Sequence, residues 1–241
     1  MNVKCGIVGL PNVGKSTLFN ALSNAGAESA NFPFCTIDPN VGLVPVPDTR
    51  LDKLAELVQP QNVVPATIEF VDIAGLVKGA SEGKGKGNAF LSHIREVNLI
   101  LHVVRCFDDD DIIHVEGSVD PERDIRIIED ELILKDLESV EKRVTNLKKQ
   151  SKSGDKKMLG QLETAQRLEE HLSDGHSART FQAGKEEMAV FQDLFLLSSK
   201  PVLYACNVSE EDLTGNSELV QSVEKVAAEH QDQVVTFCAS I

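Results

Sequence analysis

The chain is 241 residues long, with 41% hydrophobic and 26% charged residues, a balance that suits one sizeable buried core. Its formal net charge of −14 argues against a surface coated for non-specific nucleic-acid binding, because neutralising phosphates requires basic groups. No apolar stretch approaches the roughly 20 residues that span a bilayer, and residues 1–6 show no signal-peptide pattern. We therefore expect a cytoplasmic globular protein with neither a membrane partner nor a DNA partner.

The five cysteines, at positions 5, 35, 106, 206 and 238, show no CxxC spacing. Their number and spacing are typical of reduced thiols, mostly buried in strands, and they imply no structural metal.

Short apolar runs alternate with amphipathic stretches along most of the chain, which predicts a mainly parallel sheet covered by helices. The predicted strands are residues 3–8, 67–71, 99–104, 202–206 and 234–238, with a weaker strand at 41–46. The predicted helices are residues 15–25, 49–58, 88–96 and 218–229.

The stretch from residue 124 to residue 200 breaks this alternation, since it contains no convincing strand. Its apolar residues recur at helical spacing in two runs, which are Leu137, Val140, Val144 and Leu147, then Leu159, Leu162, Ala165 and Leu168. A polar, glycine-containing turn at residues 150–155 separates the runs. An ordinary crossover between parallel strands needs only about a dozen residues. We therefore predict an antiparallel helical hairpin at residues 121–199, inserted into a discontinuous domain of residues 1–120 and 200–241.

A glycine-rich motif follows the first strand directly, reading Gly-Leu-Pro-Asn-Val-Gly-Lys-Ser-Thr at residues 9–17. It matches the phosphate-binding P-loop, with the required strand before it and helix after it. Backbone N–H groups at such a helix N-terminus favour anions, Lys15 can reach the β- and γ-phosphates, and the Ser16 hydroxyl can bind Mg²⁺. The predicted phosphate-binding residues are Asn12, Val13, Gly14, Lys15, Ser16 and Thr17. The fold predicted is thus a GTPase-like P-loop NTPase with an inserted helical hairpin.

Two further motifs complete a nucleotide site. Asp72 directly follows the predicted strand at 67–71 and precedes Gly75. In this arrangement the carboxylate faces the metal and the glycine N–H bonds the γ-phosphate. Thr36 lies between these motifs, where the first switch of GTPases contributes a threonine to Mg²⁺. The predicted metal residues are Ser16, Thr36 and Asp72.

Four stretches resemble the YchF/Obg-like ATPase family of translation-factor-related P-loop NTPases. They are residues 9–17, residues 31–40 (Asn-Phe-Pro-Phe-Cys-Thr-Ile-Asp-Pro-Asn), residues 70–80 (Phe-Val-Asp-Ile-Ala-Gly-Leu-Val-Lys-Gly-Ala) and residues 102–107 (His-Val-Val-Arg-Cys-Phe). The resemblance covers almost the whole chain and implies a G domain interrupted by a coiled-coil hairpin. It also implies a C-terminal TGS domain, which we expect to be missing here, and a final base-contacting loop that contains Ser240.

The base preference rests on residues 207–210, Asn-Val-Ser-Glu. GTPases read guanine with Asn-Lys-x-Asp, so here Val208 replaces the lysine and Glu210 replaces the aspartate. Losing a hydrogen-bonding site for a base can cost about 10⁴-fold in discrimination, which predicts weakened guanine selectivity. Asn207 can still bond a purine, and Glu210 can in principle still reach guanine. The residues alone leave ATP and GTP both open; the resemblance favours ATP.

Catalysis lacks one usual group, because Leu76 stands where Ras-like enzymes carry the water-orienting glutamine. Lys15, Mg²⁺ and backbone donors such as Gly75 remain, so we expect slow hydrolysis. His114, which follows an acidic loop, is the candidate base, because a neutral imidazole can accept a proton near pH 7; a structural or solvent-facing role for it stays open. His93 is expected on a solvated helix face, and His102 is expected in the core.

The predicted function is a slow, Mg²⁺-dependent ATPase switch. Two alternatives stay open: a GTPase of the same fold, and a nucleotide-gated module that docks on a ribosome or another RNA-protein partner with negligible turnover. The flexible, basic segment 78–87 fits either a second switch or a solvated linker. Ribosome association is implied by the resemblance alone.

Overall fold

The structure is a computed structural model that describes residues 3–29, 41–73, 94–109, 111–153, 155–188 and 190–240. Its strands are β1 (Val3–Val8), β2 (Val41–Pro45), β3 (Thr67–Asp72), β4 (Leu99–Arg105), β5 (Val202–Asn207) and β6 (Gln233–Phe237). Its helices are α1 (Lys15–Ser29), α2 (Thr49–Val58), α3 (Pro121–Gln150), α4 (Lys156–Ser173), α5 (Lys185–Met188) and α6 (Glu218–His230). Each predicted strand is present, with ends that shift by one residue at most.

The six strands form one sheet in the order β2-β3-β1-β4-β5-β6. Only β2 is antiparallel to its neighbour, and the other four pairings are parallel. The chain leaves β1 toward β3 on one side and reaches β4 on the other, so the loop after β1 lies at the point where ligands bind in such sheets. The predicted P-loop NTPase fold is confirmed.

The main core lies on both faces of the central strands. In β4 every residue after Leu99 is buried, because helices cover the strand on each side. His102 belongs to this run and is 3% exposed, which confirms the expectation that it lies in the core. The four cysteines in the described part of the chain are free thiols, and three of them are buried.

The inserted hairpin consists of α3 and α4. Asp120 caps α3 by accepting a hydrogen bond from the Arg123 N–H at 3.1 Å, and Asp155 caps α4 through the Lys157 N–H at 2.9 Å. The facing sides form a second core, which includes Val140, Val144, Leu147, Ala165, Leu168 and Leu172. Leu159 does not share it, since that side chain is 47% exposed. The two predicted helical runs thus form one antiparallel hairpin.

Helix α3 belongs to both cores. Ile125, Ile128 and Leu132 pack in the core of the sheet, whereas Ile133 and the apolar residues after it pack in the hairpin. At 1.5 Å per residue, the 18 residues from Leu132 to Gln150 carry the hairpin roughly 27 Å beyond the sheet's core. The predicted domain division at residues 120 and 121 stays a prediction, and the change of core within α3 favours a boundary inside that helix.

Two polar links fix the base of the hairpin. The Asp136 carboxylate accepts hydrogen bonds from the Leu197 and Ser198 N–H groups, each at 2.8 Å, and burial raises the pKa of this carboxyl. Arg179 donates to Glu129 at 2.6 Å, across the start of α3. These buried contacts hold the returning chain against α3 before it enters β5.

Candidate nucleotide-binding site

The phosphate loop between β1 and α1 contains two residues with left-handed backbone, Asn12 (φ 63°) and Gly14 (φ 93°). A Cβ on Gly14 would lie 2.4 Å from the Asn207 Nδ2, and one on Gly9 would lie 2.7 Å from the Val103 carbonyl oxygen. Both glycines therefore permit a close approach that any side chain would block. This approach brings β4 and β5 directly against the loop.

Lys15 and Asp72 meet at the centre of the site. The Lys15 Nζ donates a hydrogen bond to the Asp72 carboxylate, and the two side chains are 10% and 18% exposed. The predicted phosphate-binding lysine and the predicted metal-binding aspartate are thus neighbours. A phosphate group entering the site has to compete with Asp72 for the ammonium group, and a divalent cation has to compete with Lys15 for the carboxylate.

Ser16 and Thr17 occupy the first turn of α1, where their side chains are exposed. The N–H groups of a first helical turn have no partner within the helix, and the first turn of α1 itself contains no acidic residue. The Ser16 hydroxyl and the Asp72 carboxylate are oxygen donors of the kind that Mg²⁺ prefers. The donor set therefore fits this ion. Thr36, Gly75, Leu76 and His93 lie outside the described residues.

Asn207 joins three segments at the end of β5. Its Nδ2 donates to the Val13 carbonyl oxygen at 3.0 Å, and its Oδ1 accepts from the Ala239 N–H at 3.0 Å. The side chain is 3% exposed. An amide has two N–H donors and two lone pairs, so one of each remains for a base. The structure places Asn207 beside the phosphate loop, and its reading of a purine stays a prediction.

The other predicted base-loop residues lie in contrasting surroundings. Val208 is 1% exposed, packs in the core of the sheet, and donates its N–H to the Phe237 carbonyl oxygen at 2.9 Å. Glu210 and Ser240 are both exposed, and Ser240 directly follows Ala239. Position 208 therefore supplies a core side chain, whereas Glu210 offers an exposed carboxylate at this edge.

Arg105 shapes the loop after β4, a role that the sequence does not predict, although the residue belongs to the family-like stretch 102–107. The residue is 1% exposed. Its guanidinium donates to the carbonyl oxygens of Phe107 at 3.0 Å, Asp109 at 3.1 Å and Ile112 at 2.8 Å. It also lies 4.6 Å from the centroid of the Phe107 ring. One buried cation thus holds the loop after β4 through the backbone of three of its residues.

This loop touches the phosphate loop. The Asn12 Nδ2 donates to the Ile113 carbonyl oxygen at 3.0 Å, so the acidic loop after β4 lies beside the phosphate loop. His114 follows it, but its ring is buried and faces α3. The Nε2 is 2.8 Å from the Asp124 carboxylate, and the Nδ1 accepts the Glu116 N–H at 3.1 Å. Because an amide N–H can only donate, the Nδ1 has no proton and the Nε2 carries one.

The profile of a family described as 50S ribosome-binding GTPase matches residues 4–156, more than half of the chain. The chain belongs to this family. It is also 54% identical over 243 residues to the ribosome-binding ATPase YchF of Bacillus subtilis, and 52% identical over 241 residues to that of Escherichia coli O157:H7. Each alignment covers 100% of this chain and 66% of the relative.

A solved structure gives the same result for the fold. The structure titled as the Schizosaccharomyces pombe YchF GTPase superposes with a TM-score of 0.85 at 42% identity, covering 99% of this chain and 66% of that one. The resemblance to the YchF/Obg-like family is therefore confirmed. This chain spans just under two thirds of the length of these relatives. Their names differ in one respect, because the bacterial proteins are called ATPases and the yeast protein a GTPase.

Among the helices that the structure describes, none combines the length and the apolar composition that crossing a bilayer requires.

Proposed function

We propose that this chain binds ATP together with Mg²⁺ and hydrolyses it slowly to ADP and phosphate, as a cytoplasmic switch that associates with the ribosome. The observation that carries the nucleotide assignment is the meeting of Lys15 and Asp72 beside the N-terminus of α1. A lysine, a carboxylate and free helix N–H groups are the groups that a nucleotide's phosphates and their metal ion require.

Each group has a separate task in this proposal. Lys15 binds the β- and γ-phosphates, while Ser16 and Asp72 hold Mg²⁺, with Thr36 as a third ligand. Mg²⁺ neutralises charge that builds up on the phosphate oxygens. Gly75 donates its N–H to the γ-phosphate. Because these groups act electrostatically and none of them activates water, slow turnover is the expected result.

The preference for ATP rests on position 208. In GTPases the lysine at this position covers the guanine ring. Val208 cannot do this, because it is 1% exposed and buried in the core. Asn207 retains one N–H and one lone pair, which suit the N7 and amino group of adenine. The bacterial relatives are named ATPases, which agrees. GTP is the second candidate, since the Glu210 carboxylate is exposed and the yeast relative is titled a GTPase.

His114 is the proposed general base. In the structure its protonated Nε2 is engaged with Asp124, and the unprotonated Nδ1 accepts from the backbone. To accept a proton from water, the ring has to leave the Glu116 N–H, and its segment is tied to the phosphate loop through Asn12. Catalytic groups are often displaced in nucleotide-free proteins and reach their working geometry only with substrate.

Competition binding tests the base preference. The chain is titrated, with Mg²⁺, against fluorescent ATP and GTP analogues, and each complex is displaced with the unlabelled nucleotide. We expect ATP to bind at least tenfold more tightly, a difference of about 1.4 kcal/mol. Equal or tighter binding of GTP overturns the ATP assignment and leaves the GTPase reading.

Measuring ATP turnover with and without ribosomes tests whether the chain is a slow ATPase or a docking module without turnover. A slow ATPase switch gives measurable phosphate release in at least one of the two conditions. No release in either, together with intact nucleotide binding, favours the alternative of a nucleotide-gated docking module. A Lys15→Ala variant is the control, because it removes the proposed phosphate ligand and should abolish turnover in both conditions.

A further inference from the structure

The charges of this acidic protein are unevenly distributed. Residues 142–157 contain seven basic side chains and one carboxylate, a net charge of +6, whereas the chain as a whole carries −14. The basic residues are Lys142, Arg143, Lys148, Lys149, Lys152, Lys156 and Lys157. The composition of the whole chain therefore conceals a strongly basic segment.

The structure gathers this segment at one end of the hairpin. Residues 142–150 form the last turns of α3, residues 151–153 form a short 3-10 turn, and Lys156 and Lys157 begin α4. We call this end, residues 142–157, the basic tip. All six lysines of the basic tip are exposed, and none of them pairs with a carboxylate in the described part of the chain.

The basic tip continues into a groove along α3. An open cavity of about 470 Å³ lies between this helix and the residues that precede β4 and β5. Its charged lining residues are Arg95, Lys142, Arg143 and Asp193. Arg143 pairs with Asp193 across the groove, while Arg95 and Lys142 add two further positive charges. The positive surface thus extends back from the tip toward the sheet.

Local helix energetics account for only part of this charge. Lys148 and Lys149 lie in the last turn of α3, where cations stabilise a helix. Lys156 and Lys157 lie in the first turn of α4, where the helix dipole disfavours cations, and the Asp155 carboxylate that caps this turn is a single negative charge beside two positive ones. Crowding like charges at an unfavourable helix terminus points to an external anion.

We propose that the basic tip binds the phosphate backbone of RNA. It projects roughly 27 Å from the core of the sheet, so it can enter a groove or a cleft in an RNA-protein partner while the nucleotide site stays clear. Lysines supply mobile point charges without base-reading geometry, so the contact is independent of sequence. The proposal deepens the proposed function and rests on its ribosome part, because it names the surface that docks.

Two triple variants with the same net charge test the proposal. The tip variant carries Lys148→Gln, Lys152→Gln and Lys157→Gln. The control carries Lys53→Gln, Lys185→Gln and Lys225→Gln, three lysines that are also exposed but lie outside the basic tip. Binding to a labelled RNA duplex of about 20 base pairs is measured by fluorescence anisotropy over a series of salt concentrations. Circular dichroism and thermal unfolding check that both variants keep the fold.

We expect the control to bind as the unmodified chain does, and the tip variant to bind more weakly. Each lost phosphate contact reduces the slope of log K against log salt by about 0.9, so the slope should fall by about two to three for three lysines. Equal affinities and slopes for the two variants overturn the proposal. A DNA duplex of the same length that binds far more tightly than the RNA overturns the assignment to RNA.

Ribosome sedimentation separates this proposal from the function on which it rests. If the unmodified chain sediments with ribosomes and the tip variant does not, the basic tip is the docking surface. If both sediment equally, the tip assignment fails and ribosome association stands. If the unmodified chain does not sediment, the ribosome part of the proposed function fails, and the RNA duplex alone decides about the tip. ATP binding should be equal in all three proteins.

Discussion

Acidification should destabilise the chain through His102. This residue lies in β4, its ring centroid is 5.6 Å from that of Tyr204, and burial lowers its pKa from 6.5 to about 4. Glu129 and Arg179 act on it in opposite directions and have smaller effects. The unfolded chain therefore binds a proton that the folded chain excludes. The contribution of His102 to the free energy of unfolding is therefore fully present above about pH 6.5 and is lost as the pH falls toward 4. The loss amounts to at most about 3 kcal/mol.

Urea unfolding at several pH values between 7 and 4.5 measures this contribution. His102→Phe is the matched variant, because it keeps an aromatic ring beside Tyr204 and cannot titrate. Carboxylates in the rest of the chain also titrate in this range, but they are common to both proteins. The free energy of unfolding should therefore fall more steeply for the unmodified chain than for the variant. Parallel curves for the two proteins would refute the reasoning, since they would show that His102 is protonated equally in the folded and unfolded chain.

Three further predictions concern the nucleotide site. Gly14→Ala should weaken ATP binding by about 1 to 2 kcal/mol, because it strains a left-handed residue and pushes its Cβ into Asn207; isothermal titration measures this, and an unchanged affinity contradicts it. Arg105→Met should leave the carbonyl groups of Phe107, Asp109 and Ile112 without this donor and lower kcat more than it raises the KM for ATP, with partial recovery in Arg105→Lys; equal kinetics for the three proteins would show that the loop's backbone does not depend on this guanidinium. His114→Ala should lower kcat while the ATP dissociation constant stays the same, as measured by single-turnover hydrolysis and equilibrium binding; an unchanged kcat removes His114 from the mechanism.

The sheet could be predicted because its signals are local. Apolar runs of about six residues, with a P-loop after the first of them, specify a parallel sheet with a ligand site at one edge. The direction of β2 could not be predicted in this way, because an apolar pattern identifies a strand but says nothing of its partner. Likewise, helical periodicity predicts the hairpin, but α3 continues from one core into another without any change in its pattern.

The site was predictable where a motif ties residues to chemistry and much less so elsewhere. Lys15 and Asp72 were expected at the site and lie in contact there. Arg105 was missed, because its role depends on three carbonyl oxygens that become neighbours only after folding. The side-chain direction of His114 was equally hidden, since Asp124, its partner, lies ten residues away on α3. Total charge also conceals the basic tip, because it averages this segment with the acidic remainder of the chain.

The burial of Val208 makes the proposed preference for ATP over GTP hard to reverse by substitution. Converting residues 207–210 to the Asn-Lys-x-Asp loop of GTPases needs two changes, a lysine at position 208 and an aspartate at position 210. The first would push an ammonium group into a space that a 1% exposed valine fills, at a residue whose backbone is hydrogen-bonded to the end of β6. Burying an unpaired cation costs several kcal/mol, comparable to the whole stability of a domain. A protein engineer would therefore have to reshape β6 before introducing the lysine, so single substitutions at positions 208 and 210 should not be enough to build the guanine-reading loop.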